Sequence, residues 1–245
     1  MKTRTKWLTP AIMLGCILAA GTAMRLPLFS ENASAQGITP LEAQGYAPLN
    51  NTVWMTQTVQ SDGDVGQNQS LVLDNFDVPH ISYYNATQNS LQYAVLSGTT
   101  WLTSTVDTDA GMSSSLALDV SGHPHIAYHH TGPSERHAVL SGTTWLIDTV
   151  DNAVGAGESL AIDGAGNPHI AYCGFGQYQG TNYVTWTPSG WTRTSVDVTN
   201  CGGKSPSLVL DKSDRPHISY YDAANGDLKY AHLLYRVYLP LMLRN

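Results

Sequence analysis

The chain has 245 residues, with 12 basic and 19 acidic side chains and a formal net charge of −7 at pH 7. An acidic protein repels the phosphates of nucleic acids and the head groups of anionic membranes, which argues against both as partners. The length is sufficient for one sizeable hydrophobic core.

Residues 1–35 have the pattern of a secretory signal peptide: a basic start, an apolar run and a small-x-small cleavage site. These parts are Lys2, Arg4 and Lys6, then residues 8–24, then Ala33-Ser34-Ala35. Cleavage after Ala35 would leave residues 36–53 as an N-terminal linker and a chain with no further membrane span. We therefore expect a secreted or cell-surface protein.

Two other interpretations of this segment stay open. The apolar run is close to the shortest length that crosses a bilayer, so it could remain as a membrane anchor. Cys16 could carry a lipid, although Met13-Leu14-Gly15 before it is a poor match to a lipoprotein signal.

The rest of the chain is built from four copies of one unit, in which three anchors recur in the same order. The first anchor is Trp54, Trp101, Trp145 and Trp191; the second is Ser-Leu-x-Leu/Ile-Asp, starting at Ser70, Ser115, Ser159 and Ser207; the third is Pro-His-Ile, starting at Pro79, Pro124, Pro168 and Pro216. The tryptophans are 47, 44 and 46 residues apart, a spacing typical of propeller blades.

Each copy contains four short strands, which we name a to d. Strand a is the Ser-Leu-x-Leu/Ile-Asp anchor, and strand b is the Pro-His-Ile anchor with the Ser/Ala-Tyr that follows it. Both alternate with a period of two. Strand c is clearest at residues 91–94 and 228–231, and strand d runs from the tryptophan to a valine, as at 101–106. Turn residues separate the strands within a copy, while the link from d to the next a is longer.

Four-stranded meanders joined by longer links predict an all-β protein, a four-bladed β-propeller with strand a innermost. Its repeats cover residues 54–232, and residues 233–245 form a C-terminal tail. The chain begins with a lone strand d and its last copy lacks one, so we expect residues 54–59 to pair with residues 228–231 and close the ring. The tail could instead supply this strand, with Pro240 interrupting its pairing. An open or incomplete ring and an open β-solenoid are further alternatives.

The unit resembles a tandem repeat of exported bacterial proteins, Ser-Leu-x-Leu-Asp-x-x-Gly-x-Pro-His-Ile-x-Tyr-Tyr-Asp. The resemblance covers residues 54–231 and implies an extracellular propeller of the sialidase-like superfold, without implying a reaction. The Ser-x-Asp-x-Gly-x-x-Trp box of sialidases is absent from the sequence, and no repeat position carries arginine in three copies. No carboxylate pair for glycosidase chemistry stands outside the repeat pattern. We therefore predict no catalytic residues.

Two polar residues recur in every copy and could suggest a metal site. They are the histidines His80, His125, His169 and His217, and the aspartates Asp74, Asp119, Asp163 and Asp211. Four histidines could surround one transition-metal ion, and four aspartates could bind calcium. Repetition in every copy favours structural roles instead, which are packing for histidine and capping of the a–b turn for aspartate. We predict no metal and no cofactor.

The copies differ most just after strand b. These b–c loops share one face with the d–a links, and loops on a rigid scaffold often bind ligands. The candidate ligand-binding residues of this b–c face are Tyr84, Asn85, His129, His130, Phe175, Tyr178, Tyr221 and Asp222. Ordinary variation among hairpins is the competing explanation.

These observations favour an extracellular binding module that presents the b–c face to a carbohydrate or a protein. Aromatic rings would stack on a sugar, and amide groups would hydrogen-bond to it. A degenerate or unrecognised glycan hydrolase or lyase is one alternative, and a structural surface protein without a small ligand is another.

Cys173 and Cys201 are predicted to form a disulfide. Cys173 stands at the end of strand b in the third copy, and Cys201 lies in the link that enters the next strand a. Both places belong to the b–c face, neither carries cysteine in another copy, and export provides an oxidising setting. Two unrelated free cysteines are the alternative.

Overall fold

The computed structural model describes residues 54–132, 134–152 and 155–234. The chain divides into two units, residues 1–54 and 55–245. The predicted signal peptide and linker, and the tail beyond residue 234, lie outside the described residues. The described residues contain no helix that is long and apolar enough to cross a membrane.

The first two sheets are four-stranded antiparallel meanders. Sheet 1 contains β1 (Val65–Leu73), β2 (Pro79–Asn85), β3 (Ser90–Ser97) and β4 (Thr100–Thr108). Sheet 2 contains β5 (Ala110–Leu118), β6 (Pro124–His130), β7 (Ser134–Ser141) and β8 (Thr144–Asp151).

The next two sheets repeat this plan, but the last has three strands. Sheet 3 contains β9 (Gly155–Ile162), β10 (Pro168–Gly174), β11 (Gly180–Thr187) and β12 (Gly190–Asp197), with a short 3₁₀ helix at Gly176–Tyr178. Sheet 4 contains β13 (Ser207–Leu210), β14 (Pro216–Asp222) and β15 (Asp227–His232). The predicted all-β fold of repeated meanders is confirmed.

The four strands of each sheet are the predicted strands a to d in order, and sheet 4 has a to c. Strand a of each sheet lies beside strand a of the next, as the neighbours β1 and β5, β5 and β9, and β9 and β13 show. Strand a is therefore the inner strand of a propeller-like stack of sheets.

The repeated aspartate caps the a–b turn in every sheet. In sheet 1, Oδ1 of Asp74 accepts the backbone N–H groups of Phe76 and Val78 at 2.8 and 2.9 Å. Asp119, Asp163 and Asp211 each accept the same two N–H groups, at the second and fourth residue after the aspartate. These bonds replace the strand pairing that the backbone loses in the turn, so the turn-capping interpretation is confirmed.

The repeated histidine joins this turn to strand c. In sheet 3, Nδ1 of His169 lies 2.5 Å from the hydroxyl oxygen of Tyr183, and Nε2 lies 3.4 Å from Oδ2 of Asp163. His80 and His217 have the same kind of partners, and His125 has His137 in place of the tyrosine. The histidines therefore occupy equivalent packing positions in separate sheets.

The hydrophobic core consists of three apolar clusters, one between each pair of successive sheets. The tryptophan of strand d adds to the contact with the preceding sheet. Trp145 packs edge-on against Tyr93 of sheet 1, with ring centroids 5.2 Å apart, and Trp191 packs against His137 of sheet 2 at 5.4 Å. Such edge-on contacts stabilise a packed pair beyond the area that it buries.

The inner strands are also joined by a repeated hydrogen bond. The serine of strand a accepts the backbone N–H of the leucine in the next strand a. The pairs are Ser70 with Leu116 at 3.1 Å, Ser115 with Leu160 at 3.0 Å and Ser159 with Leu208 at 3.0 Å. The alternation of strand a thus directs its serine towards the next sheet, while the leucine is buried between sheets.

A second repeated contact lies at the end of strand d, where an aspartate meets a tyrosine and a cation from the next sheet. The three sets are Asp107 with Tyr128 and Arg136, Asp151 with Tyr172 and Arg193, and Asp197 with Tyr220 and Lys229. The tyrosine–aspartate distances are 2.8, 2.6 and 2.9 Å. We call each set a Tyr–Asp–cation junction.

The predicted pairing of residues 54–59 with residues 228–231 is wrong. Residues 54–59 form no strand, and β15 pairs with β14 alone among the described strands. Residues 57–60 instead contact sheet 1, where Gln57 accepts the indole N–H of Trp101 at 3.1 Å and Gln60 accepts the hydroxyl of Tyr83 at 2.5 Å. The glutamines occupy the strand d positions that Ser104 and Asp107 occupy with respect to sheet 2. Residues 57–60 therefore make the side-chain contacts of a strand d with sheet 1, but they have no backbone pairing of a strand.

Sheet 4 ends in an exposed edge. Leu228 and Tyr230 of β15 are 84% and 62% exposed. Between sheets 3 and 4, a cavity of ≈ 360 Å³ is lined by Tyr183, Thr194 and Ile218 among others. Tyr93 and His137, which match Tyr183 in sheets 1 and 2, are each covered by the tryptophan of the next sheet. The cavity therefore marks where sheet 4 lacks a strand d within the described residues.

Candidate functional site

Three of the eight residues predicted on the b–c face are buried. Tyr84, Asn85 and Asp222 are 9%, 0% and 0% exposed. Asn85 accepts the backbone N–H of Gln88 at 3.0 Å, and Asp222 forms an ion pair with Lys229 at 2.7 Å. Their polar groups are engaged within their own hairpins, which leaves little of them for a ligand.

The other five residues of this face are at least partly exposed. They are His129, His130, Phe175, Tyr178 and Tyr221. The guanidinium of Arg193 stands 4.1 Å from the ring centre of Tyr178, which is a cation–π contact. These side chains belong to sheets 2, 3 and 4, and ligand binding by this face stays a prediction.

A disulfide joins Cys173 and Cys201, with the two Cα atoms 5.8 Å apart. It ties β10 to the link between β12 and β13, as the positions in the repeat predicted. Both residues are buried. Such bonds persist in oxidising compartments, so this disulfide agrees with an extracellular setting.

A polar cavity of ≈ 260 Å³ lies on the opposite face, at the a–b turns between sheets 2 and 3. Its walls are Trp186 and Trp191, His137 and Asp148, and the turn Gly166-Asn167-Pro168. The two indoles meet edge to face, with centroids 5.4 Å apart, and Trp186 is 41% exposed. The cavity therefore combines an accessible aromatic ring with a carboxylate and an amide.

Trp186 departs from the repeat. The matching position of strand c is Leu96 in sheet 1, Leu140 in sheet 2 and Leu233 after β15. This deviation was the available sequence signal for the cavity. Trp186 lies at the end of strand c, whereas the predicted site residues follow strand b, so the prediction did not include it.

Two buried polar atoms in the cavity wall lack a hydrogen-bond partner among the described residues, namely Nε1 of Trp191 and Nδ1 of His137. Burial lowers the pKa of His137 to about 3, and the nearby His125 acts in the same direction. His137 is therefore neutral at physiological pH. Its Nε2 lies 2.9 Å from Nδ1 of His125.

The described part of the chain brings together one group of three residues that could hold a metal ion, His129, Glu135 and Glu158. The group contains none of the repeat histidines or aspartates. It also corrects the expectation that no carboxylate pair stands outside the repeat pattern. Both carboxylates are buried, at 1% and 8% exposure, so a glycosidic bond could not lie between them as glycosidase chemistry requires.

No protein-family model and no curated protein matches the sequence. Solved structures do match the fold. The SapL1 lectin, in complex with α-methyl fucoside, superposes with a TM-score of 0.54 at 11% identity, over 68% of this chain and 60% of that chain. AofleA from Arthrobotrys oligospora gives a TM-score of 0.53 at 12% identity, over 68% of this chain and 53% of that chain. The sheets have the arrangement of a lectin propeller.

Identities this low show the fold alone. The chain also spans less than two thirds of the length of these two structures, 60% of one and 53% of the other. A function for this chain must therefore be argued from its own residues.

Proposed function

We propose that this chain is an extracellular carbohydrate-binding module with its sugar site in the cavity beside Trp186. The observation that carries the proposal is the composition of that cavity. A sugar ring has apolar C–H faces and a rim of hydroxyl groups, so it suits a site with an exposed aromatic ring and convergent polar groups.

Each wall of the cavity has a part in this proposal. The exposed ring of Trp186 would stack on the sugar face. Asp148 would accept hydrogen bonds from sugar hydroxyls, and the Asn167 side chain would both donate and accept them. Trp191 packs edge to face with Trp186 and would hold that ring in place.

The similarity to the SapL1 lectin supports the choice of carbohydrate over protein as the ligand. The disulfide and the signal-like residues 1–35 support an extracellular site of action. The proposed site lies on the a–b turn face, so it competes directly with the predicted b–c face.

The test is glycan-array screening of the purified protein with α-methyl fucoside in the panel, followed by calorimetric titration of the best ligand. Trp186→Leu places the residue of the other copies at this position and should fold normally. We expect at least a tenfold rise in Kd, the equivalent of about 1.4 kcal/mol. Melting temperature should change little.

Tyr221→Ala on the b–c face is the matched control and should leave Kd unchanged. If Tyr221→Ala weakens binding and Trp186→Leu does not, the site lies on the b–c face and the cavity is the wrong choice. Binding of no glycan at all would refute the carbohydrate proposal. Release of free sugar from a glycan would favour the hydrolase alternative.

A further inference from the structure

A compact group of polar side chains lies on the b–c face, across the contact between sheets 2 and 3. His129 and Glu135 pair with each other near the ends of strands b and c of sheet 2, and Glu158 lies in strand a of sheet 3. One ring nitrogen and one oxygen of each carboxylate lie within 4.8 Å of one another.

The facing atoms of this group are buried, and four of them have no hydrogen-bond partner among the described residues. These four are His129 Nδ1, both oxygens of Glu135 and Oε1 of Glu158. Nδ1 of His129 lies 3.5 Å from Oε1 of Glu135, an ion-pair distance without hydrogen-bond geometry. Oε2 of Glu158 accepts the hydroxyl of Ser113. Most of the ligand capacity of the group is thus unused.

The charge of the group is also uncompensated. The arginines of sheets 2 and 3 are engaged elsewhere, Arg136 with Asp107 and Arg193 with Asp151. Burial is the largest cause that raises the pKa of Glu135 and that of Glu158. Two buried carboxylates need compensation by a cation or by hydrogen bonds, and a divalent ion at this position would supply it.

We propose that His129, Glu135 and Glu158 bind one divalent transition-metal ion. An imidazole nitrogen with two carboxylates is a ligand set that suits zinc and its neighbours, whereas calcium takes oxygen ligands. Ligand atoms on tetrahedral zinc stand about 3.3 Å apart, given bonds of about 2.0–2.1 Å. An inward displacement of each ligand atom by less than about 1 Å would bring the group to that geometry.

The backbone leaves space for these side chains at Gly155. A Cβ atom at this residue would stand 2.2 Å from Oε1 of Glu135 and 2.8 Å from the ring of Tyr172. A larger residue would therefore displace the carboxylate from the group. Three ligands leave one or more coordination positions for water or another small group.

The position in the repeat gives the site a structural parallel. The residue that matches His129 in sheet 3 is Cys173, which forms the disulfide at the next contact between sheets. The matching residues in sheets 1 and 4 are Tyr84 and Tyr221. The metal would thus join sheets 2 and 3 at the repeat position from which, one sheet further on, the disulfide ties sheet 3 to the link into sheet 4.

The test uses untagged mature protein that has been stripped with a chelator and then titrated with Zn²⁺. We expect one Zn²⁺ per chain by calorimetry and elemental analysis, with a rise in melting temperature on binding. Glu135→Gln/Glu158→Gln, which preserves shape and removes both charges, should lose the binding and the thermal shift. His123→Gln, which changes an exposed histidine of an a–b turn, should bind as the wild type does.

Should the double variant fail to fold, His129→Tyr replaces it, because tyrosine occupies this position in sheets 1 and 4. That variant should bind Zn²⁺ at least tenfold more weakly. Wild-type protein that takes up no Zn²⁺ would overturn the proposal, as would equal binding by the glutamine variant. A full thermal shift with Ca²⁺ in place of Zn²⁺ would contradict a site that uses the imidazole.

Discussion

One tyrosine hydrogen bond recurs along the repeats in two chemical forms, one with charged partners and one with neutral partners. At the three Tyr–Asp–cation junctions, a carboxylate receives a tyrosine hydroxyl and a cation from the following sheet. Sheet 1 has a neutral counterpart of these junctions. Tyr83 donates to the amide of Gln60, and Gln92 occupies the strand c position that carries Arg136 in sheet 2. The tyrosine contact thus persists where both charges are absent. The position of a residue in the repeat sets the geometry, and the ionic contribution is added to it.

The largest effect should come from removing the disulfide. Among the described residues, only the contact between sheets 3 and 4 has such a bond. Cys173→Ala/Cys201→Ala should lower the free energy of unfolding by about 3–4 kcal/mol, because the disulfide closes a loop with a sequence separation of 28. Urea unfolding followed by circular dichroism measures the loss. Reduction of the wild type should have the same effect, and an unchanged midpoint in both samples would contradict the prediction.

A smaller effect should separate the charged junctions from the neutral one. The hydroxyl of Tyr172 donates to Asp151 at 2.6 Å, and that of Tyr83 donates to Gln60 at 2.5 Å. Tyr172→Phe should cost about 1.5–3 kcal/mol, and Tyr83→Phe about 0.5–1.5 kcal/mol, because a bond to a charged acceptor is the stronger. Chemical unfolding of the two variants tests this difference. Equal losses would show that the charge adds nothing.

The smallest effect should appear as acid sensitivity. Desolvation raises the pKa of Asp197, but the Thr199 N–H, Lys229 and Tyr220 outweigh it and hold the pKa well below the usual value. A carboxyl with a depressed pKa in the folded state stabilises the fold above pH 4, and this contribution is lost as the pH falls further. Asp197→Asn should therefore show a shallower loss of stability between pH 4 and 2, measured as the change in melting temperature. A slope equal to that of the wild type would contradict this.

The parts of the fold that could be predicted from the sequence are those set within one copy. Asp119 and the turn that follows it specify a hairpin by local hydrogen bonds, and the period of strands a and b specifies which side chains are buried. The disulfide could also be predicted, because the positions of its two cysteines in the repeat place both on one face of the molecule.

The parts that could not be predicted depend on how sheets meet. Residues 54–60 have the spacing of strand d, but spacing alone does not provide the backbone partner that a strand needs. Glu135 and Glu158 belong to different copies, so their proximity follows from the packing of sheet 2 on sheet 3. Trp186 can be recognised in the sequence as a deviation from the repeat. The cavity beside it forms only when Trp191 and Asp148 come together in the fold.

The Ser–Leu bond of the inner strands has a consequence for the history of such chains. Strand a carries both the acceptor, as Ser115 does towards Leu160, and the donor, as Leu116 does towards Ser70. A gene duplication that adds one copy therefore adds both partners of this hydrogen bond. A chain built in this way can change length by whole units and keep the Ser–Leu bond between every two units that remain neighbours.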